Sequence, residues 1–175
     1  CRLRWADAMD IRRLEAADAP AYRALMLQAY GQEPDAFTST AGERAALPLD
    51  WWVSRIGQGD ELARALGAFH GGRLVGTVAV EALRPLKTRH KAHVVGMYVA
   101  PKCRALGAGR RLMQALLDHV QAHPSIQILT LTVTEGNAGA IRLYESLGFR
   151  AFGTEPMAIF TGDGYKAKVH MARPR

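Results

Sequence analysis

Residues 98–120, YVAPKCRALGAGRRLMQALLDHV, join a short apolar run to a longer amphipathic segment through a basic turn with two glycines. The longer segment has apolar side chains at the spacing of a helix with one apolar face, namely Leu112, Ala115, Leu116 and Val120. The apolar run before it is typical of a strand. A strand, a tight turn and an amphipathic helix in direct succession predict helices packed on a sheet.

Further strand patterns supply the rest of that sheet. A run over 11–14 predicts the first strand, and the two glycines within 70–73 predict a hairpin between two β-like runs. The run 92–100 predicts another strand, in which Gly96 indicates a bulge or a close backbone approach. The run 126–134 carries little charge, which predicts a central strand.

Helix patterns lie between these strands. They predict a helix with Asp18 near its start and Pro20 in its first turn, a short helix near 49–56, a helix from Gly107 to about Ala122, and a helix over 137–149 closed by Gly148. A hairpin ends the chain. The predicted order is β-α-α-β-β-β-α-β-α-β-β, an α/β (α+β) arrangement with a mixed sheet and helices on its faces, in a single domain over residues 1–175.

Composition limits the partners of this 175-residue chain, whose formal net charge is +7. No apolar run approaches the ~20 residues of a membrane helix, and residues 1–18 lack the apolar core of a signal peptide. Arginine and lysine are spread along the chain, with local density at 84–91, so we expect neither nucleic acid nor a membrane as partner, and a polyanion-binding face stays the alternative. The two cysteines, Cys1 and Cys103, make no disulfide framework, which predicts a cytoplasmic location.

The turn before the predicted long helix has the features of an anion site. The first N–H groups of a helix lack internal partners, and the helix dipole adds positive potential there. Gly107 and Gly109 remove Cβ atoms that would hold a ligand off the backbone, and Arg104, Arg110 and Arg111 add positive charge. The turn therefore predicts a phosphate or pyrophosphate site, and a glycine turn that binds nothing is the alternative.

Familiar nucleotide motifs fit this turn badly. A Walker A loop needs Gly-Lys-Ser/Thr, which GAGRRL lacks. A dinucleotide fingerprint needs a third glycine where Leu112 stands and an acidic residue ~20 positions further on, where QILTL offers none. Another phosphate carrier is therefore expected.

The second predicted helix carries two polar side chains on one face. Asn137 and Tyr144 are seven residues apart, about two helical turns, so both project from nearly the same side. A phenol with a reference pKa near ~10 can donate a proton to a departing thiolate, whose reference pKa is near ~8.5. The alternative interpretation is a capping asparagine and a packed helical tyrosine.

These segments resemble a known family. YVAPKCRALGAG resembles the acetyl-CoA-binding signature of the GCN5-related N-acetyltransferases (GNAT), and TVTEGNAGAIRLYESLGF resembles their next motif. EPMAIFTGDGYKAKVHM is similar to the last hairpin of many bacterial members. The resemblance extends from about Arg64 to the end of the chain. It implies the GNAT fold, with a central mixed, mostly antiparallel sheet, splayed central strands and flanking helices.

The resemblance implies a role for each matched position, with acetyl-CoA as co-substrate and no metal. Backbone groups of Met97 and Val99 would bind the pantetheine arm where two strands splay apart. Amides from Arg104 to Gly109 would hold the pyrophosphate, and Asn137 would anchor the arm or its strand. The implied coenzyme-binding residues are Met97, Tyr98, Val99, Arg104, Ala105, Leu106, Gly107, Ala108, Gly109, Arg110, Asn137 and Tyr144.

The implied reaction is direct attack of a substrate amine on the acetyl carbonyl, with Tyr144 protonating the coenzyme thiolate as it leaves. A protonated amine has no lone pair, so a base must remove its proton. Glu81 and His93 are the chosen candidates, and Glu135 is a third. Many members of the family carry a carboxylate near the position of His93, so the histidine leaves the choice of base open.

Alternatives remain open. Cys103 lies among Lys102, Arg104 and a helix start, surroundings that favour a thiolate, so a covalent acetyl-cysteine is a second route. The chain could instead be a catalytically silent acyl-CoA-binding domain with a regulatory or interaction role. The acceptor amine belongs to a small molecule, a lysine or a protein N-terminus, and a homodimer is the assembly that the family resemblance suggests.

Overall fold

The computed structural model describes residues 9–57 and 61–175. The strands of this part are β1 (Met9–Arg13), β2 (Arg64–His70), β3 (Arg73–Ala82), β4 (Lys91–Val99), β5 (Ile128–Thr134), β6 (Arg150–Phe160) and β7 (Tyr165–Pro174). The helices are α1 (Ala19–Gln32), α2 (Ala41–Ala45), α3 (Leu49–Arg55), α4 (Pro101–Arg104), α5 (Ala108–Gln121) and α6 (Ala138–Ser146). Single 3-10 turns lie at Ala16–Asp18 and Pro34–Ala36.

The seven strands form one sheet in the order β1-β2-β3-β4-β5-β7-β6. All neighbours are antiparallel except β4 and β5, which are parallel. The predicted mixed, mostly antiparallel sheet is therefore confirmed, and so is the central position predicted for the run that became β5. The strand and helix order also follows the prediction, with α2 and α4 as additions.

The parallel pairing of β4 and β5 is short. It extends from the Lys91–Ile128 pair to the His93–Thr130 pair and then stops, although β4 continues to Val99. Beyond the last pair the facing edges of the two strands have no ladder between them, while β5 stays paired with β7 on its other side. The two central strands therefore splay apart, as the family resemblance implied.

A bulge in β4 accompanies the splay. Thr77 pairs with Tyr98 and Ala79 pairs with Val95, so β4 has one more residue than β3 over this stretch. Gly96 has a φ of 61°, a left-handed conformation that glycine adopts without steric penalty. Because of the extra residue, the side chains of Val95 and Tyr98 both pack on the side of α1. The bulge predicted from Gly96 is present.

The two faces of the sheet carry different helices. On the face called here the α1 face, Tyr22 of α1 and Trp52 of α3 pack over Ala79. On the opposite face, called the α5 face, Leu112 and Leu116 of α5 pack with apolar residues of β2 to β5, and Tyr144 of α6 belongs to the same cluster. No helix of the described residues is both long and apolar enough to cross a membrane.

Three local features differ from the sequence prediction, and one of them is the four-residue helix α4, which was not predicted. Helix α5 begins at Ala108 rather than at Gly107, because Gly107 has a φ of 76° and forms the N-cap outside the helix. Helix α2 was not predicted. It has only five residues and begins with a capping box in which Thr40 and Glu43 bind each other's backbone N–H groups.

Replacement of a buried leucine tests the core on the α5 face. Leu116 has no exposed surface, so Leu116→Ala should leave a cavity and lower the free energy of unfolding by about 2–5 kcal/mol. Leu86 is 79% exposed, and Leu86→Ala should change that free energy by less than about 0.5 kcal/mol. Urea denaturation followed by tryptophan fluorescence measures both, and equal losses would contradict this assignment of the core.

Candidate active site

The start of α5 presents free amide donors just beyond the end of β4. The first intrahelical bond of α5 runs from the Arg111 N–H to the Gly107 carbonyl at 3.1 Å. No bond within the described residues uses the N–H groups of Ala108, Gly109 or Arg110. These three donors and the positive end of the helix dipole form a site for an anion.

The free donors differ in part from the predicted set, which ran from Arg104 to Gly109. The Leu106 N–H donates to the Cys103 carbonyl at 3.2 Å, and the Gly107 N–H donates to the Arg104 carbonyl at 3.4 Å. Those two amides close the turn that follows α4. The available donors therefore begin at Ala108 and extend one residue past the predicted range.

The two glycines of the turn have different functions. Gly107 has a positive φ, and a Cβ atom there would meet no atom within 4 Å, so this position is open toward solvent. A Cβ atom on Gly109 would lie 3.1 Å from Met97 Cε and 3.5 Å from Leu143 Cδ2. Gly109 therefore allows α5 to approach β4 and α6 closely, which differs from the predicted role of making room for a ligand.

The arginines near the turn are tied to the protein itself. Arg110 Nη2 donates to Ser146 Oγ at 3.0 Å and so links the start of α5 to the end of α6. Arg111 Nη2 donates to the Met9 carbonyl at 2.8 Å. Both acceptors are neutral, so Arg110 and Arg111 keep their charges near the turn and add to the potential of the helix start, and their contribution to an anion site stays a prediction.

Residues 33–35 cross the α1 face from one splayed strand to the other. Arg104, which follows β4, donates from Nη2 to Glu33 Oε1 at 2.8 Å and from Nε to the Val99 carbonyl at 2.8 Å. At the far side Thr134 Oγ1 of β5 donates to the Asp35 carbonyl at 2.6 Å. The Asp35 carboxylate also pairs with Lys166 of β7. This segment, called here the 33–35 segment, therefore bridges the gap.

The predicted arm-binding residues lie on the splayed half of β4. The edge of the strand that faces β5 has no ladder over 97–99, so backbone groups along it are open to a ligand, apart from the Val99 carbonyl, which accepts the bond from Arg104 Nε. The Tyr98 side chain turns to the α1 face, where its hydroxyl donates to Gln32 Oε1 at 2.9 Å. Gln28 Nε2 donates to the same hydroxyl at 3.3 Å. The Tyr98 side chain is therefore engaged by the protein, and its backbone lies opposite Thr77 in the ladder with β3.

Asn137 and Tyr144 are both engaged in helix α6. Asn137 is the N-cap, and its Oδ1 accepts a bond from the Ala140 N–H at 3.2 Å. Tyr144 is buried and packs edge-on against Phe149, with ring centroids 5.9 Å apart. The alternative interpretation of a capping asparagine and a packed tyrosine therefore describes their present contacts. The Tyr144 hydroxyl, however, makes no hydrogen bond with any described residue.

Burial changes the chemistry that Tyr144 can perform. Desolvation raises the pKa of the Tyr144 hydroxyl to about 12, so this group is protonated at neutral pH. A thiol has a pKa near ~8.5, so complete proton transfer from this phenol to a thiolate is unfavourable. Burial therefore favours a hydrogen bond from the Tyr144 hydroxyl over complete transfer of its proton, and the role of Tyr144 toward a departing thiolate stays a prediction.

Glu81 and His93 lie opposite each other on β3 and β4, on the α1 face. Glu81 Oε1 pairs with Arg55 Nη1 of α3 at 2.5 Å. His93 Nδ1 contacts the Thr130 hydroxyl, at the last pair before the strands part. The structure therefore brings the two predicted bases together, on the opposite side of the sheet from Tyr144.

The remaining candidates have structural contacts. Glu135 Oε1 accepts a bond from the Ala167 N–H at 3.0 Å, which ties the end of β5 to β7. The Cys103 thiol is free but 8% exposed and belongs to the apolar cluster of the α5 face. Cys1 lies outside the described residues. In residues 9–57 and 61–175 there is no group of three His, Cys, Asp or Glu side chains that could hold a metal ion.

Two residues of this site, Tyr22 and Arg55, were not among the candidates predicted from the sequence. Tyr22 of α1 places its hydroxyl beside Gly96, and Arg55 pairs with Glu81. Tyr22 belongs to no motif, and Arg55 lies in the segment 47–56, which resembles more loosely the family's variable helices that shape the acceptor pocket. For Tyr22, the bulge predicted at Gly96 was the one sequence feature that indicated a special environment beside it.

Comparisons with known sequences agree on one family. Residues 6–149 match the sequence profile described as the acetyltransferase (GNAT) family. The N-alpha-acetyltransferase RimI of Mycobacterium tuberculosis is 35% identical over 89 residues, which cover 50% of this chain and 52% of the relative. Mycothiol acetyltransferase of Thermobispora bispora is 33% identical over 141 residues, 80% of this chain and 45% of the relative. The chain spans about half the length of these curated relatives.

Solved structures show the same fold. A GCN5-related N-acetyltransferase from Kribbella flavida has a TM-score of 0.83 and 26% identity, over 97% of this chain and 99% of that chain. An acetyltransferase from Salmonella typhimurium, solved with its cofactor acetyl-CoA, has a TM-score of 0.78 and 22% identity, over 95% of this chain and 93% of that chain. The predicted GNAT fold is therefore confirmed.

Two substitutions of matched shape test the anion site at the start of α5. Asparagine and aspartate both tolerate the left-handed backbone of Gly107, but only Gly107→Asp adds a negative charge beside the free amides. We expect Gly107→Asp to bind coenzyme A about 10-fold more weakly than Gly107→Asn. Isothermal titration with coenzyme A measures the difference. Equal affinities in the two variants would contradict an anion site at this turn.

Proposed function

The chain belongs to the acetyltransferase (GNAT) family, and on that basis we propose that it transfers the acetyl group of acetyl-CoA to an amine. The chief support is one observation. Helix α5, with free amide donors at its start, begins beyond the end of β4, and the facing edges of β4 and β5 have lost their ladder over the preceding residues. A phosphate carrier held at the helix start can therefore extend an arm along open backbone into the sheet.

Each end of the coenzyme has residues suited to it. In this proposal the amides of Ala108, Gly109 and Arg110 hold the pyrophosphate, and the predicted residues from Arg104 to Gly107 shape the turn that leads to them. The open edge of β4 at 97–99 binds the pantetheine arm. Asn137 uses its carbonyl oxygen as a helix cap, which leaves its amino group to donate to the arm.

Catalysis in this proposal uses both faces of the sheet. The acceptor nitrogen approaches from the α1 face and attacks the acetyl carbonyl carbon, the carbon–sulfur bond breaks, and the sulfur leaves with the electron pair. Tyr144, from the α5 face, donates a hydrogen bond to the departing sulfur. Glu81 and His93, on the α1 face, are the candidates to take the proton from the nitrogen.

The N-terminal amine of a peptide or protein is the acceptor that we propose to test first, because an N-alpha-acetyltransferase is among the relatives. Mycothiol acetyltransferase, also a relative, makes a small-molecule amine the second candidate. The basic stretch 84–91 follows β3 and precedes β4, near Glu81 and His93. A positive loop at this position favours acceptors with acidic residues.

Domain organisation and location are parts of the same proposal. We treat residues 1–175 as one acetyltransferase domain, which the family match over 6–149 and the structural likenesses over nearly the whole chain support. A cytoplasmic location rests on the composition of the chain, whose two cysteines make no disulfide framework.

Removal of the Tyr144 hydroxyl tests its catalytic role. Tyr144→Phe should lower turnover about 100-fold, because one donor to a developing charge is lost, while the affinity for acetyl-CoA stays nearly unchanged. Tyr165 is 58% exposed, and Tyr165→Phe is the matched control, expected to keep wild-type turnover. Release of free coenzyme thiol measures turnover with acidic and basic peptides, with free or blocked N-termini, and with small amines.

Three outcomes of that assay discriminate between the hypotheses. Thiol release that requires a free amine supports acetyl transfer. Coenzyme binding without thiol release for any acceptor would favour the catalytically silent domain. Equal turnover of Tyr144→Phe and the wild type would remove Tyr144 from the mechanism.

A further inference from the structure

Tyr22 packs above the bulge of β4. It lies on α1, is 4% exposed, and packs edge-on against Trp52 with ring centroids 5.9 Å apart. Its hydroxyl lies 3.8 Å from the position that a Cβ atom on Gly96 would occupy. The ring is therefore enclosed by protein, and the absence of a side chain on Gly96 leaves space between the hydroxyl and the strand.

The Tyr22 hydroxyl makes no hydrogen bond with any residue that the structure describes. The ring is buried, but the hydroxyl oxygen is not among the buried unpaired atoms, so it keeps access to the space beside the strand and is available to a ligand atom there. Desolvation raises the pKa of Tyr22 to about 12, with smaller effects of opposite sign from Arg55 and Glu81. The hydroxyl is protonated at neutral pH and can donate a hydrogen bond, so the ligand atom sought here is an acceptor.

The proposed direction of the coenzyme identifies that acceptor. The pyrophosphate lies at Ala108 and the arm follows β4 from Val99 back toward Met97, so its thioester end reaches Gly96, the next residue along the strand. Tyr22 approaches this point from the α1 face, whereas Tyr144 belongs to the α5 face. The sulfur and the carbonyl oxygen of a thioester are the two atoms on which charge develops, and the two tyrosines lie on opposite sides of the sheet.

We propose that the Tyr22 hydroxyl donates a hydrogen bond to the acetyl carbonyl oxygen of bound acetyl-CoA, which rests on the proposed function above. When the amine attacks, the carbonyl π electrons move to this oxygen, and they return as the carbon–sulfur bond breaks. Tyr22 keeps its proton throughout and stabilises the transient negative charge on oxygen. Tyr22 is thus a further catalytic residue, distinct from Glu81, His93 and Tyr144.

The acetyl group itself provides a test that needs no acceptor substrate. Free coenzyme A lacks the carbonyl, so Tyr22→Phe should weaken acetyl-CoA binding about fivefold and leave coenzyme A binding unchanged. Isotope-edited infrared spectroscopy of carbonyl-labelled acetyl-CoA gives a second readout. The bound carbonyl band should move to higher frequency in Tyr22→Phe, because a hydrogen bond to oxygen weakens the carbonyl bond.

Tyr30→Phe is the matched control, because Tyr30 is on the same helix and packs on Phe37 with ring centroids 4.9 Å apart. It should keep both the wild-type band and the wild-type ratio of affinities. An unchanged ratio and band in Tyr22→Phe would overturn the role of Tyr22, as would equal loss of affinity for both ligands, which indicates structural damage. Failure of the wild-type protein to bind acetyl-CoA would instead overturn the proposed function.

Discussion

Backbone pairing between β4 and β5 stops after His93 and Thr130, and the candidate site is built around that interruption. At Gly96, β4 then contains one extra residue, which forms a bulge in its pairing with β3. Past this point the facing edges have open hydrogen-bonding groups in the middle of a sheet, where such groups are otherwise paired. The free amides of α5 continue this open surface beyond the end of the strand. Binding capacity here follows from backbone geometry more than from special side chains.

Different interactions hold the structure together on the two sides of this gap. On the α1 face the 33–35 segment is tied to both sides by exposed ion pairs, and such pairs contribute little stability each. On the α5 face the contact is apolar and tight, since Gly109 lets the side chains of Met97 and Leu143 approach its backbone. The proposed coenzyme side of the gap is therefore fixed by apolar packing, whereas the proposed acceptor side of the gap is held by weaker polar contacts.

Local patterns predicted most of the fold but less of the site. Hydrophobic periodicity and glycine positions predicted the strands, the long helices and the bulge at Gly96, because these depend on neighbouring residues. The partners of Arg104 and Glu81 could not be predicted, since Glu33 and Arg55 are distant in sequence and meet them only in the folded chain. The raised pKa of Tyr144 was likewise hidden, because burial depends on what packs around the helix. Glu81, His93 and the coenzyme-binding residues remain proposals.

The outer edges of both splayed strands keep their ladders, from Gly76 with Val99 on one side to Thr134 with Lys168 on the other. A ligand that enters the gap therefore displaces water and breaks no backbone hydrogen bond between the strands. The conformational entropy of holding the donors in place was lost when the chain folded, before any encounter. Because this arrangement needs no opening of the sheet, association should be limited by desolvation and diffusion rather than by rearrangement of strands.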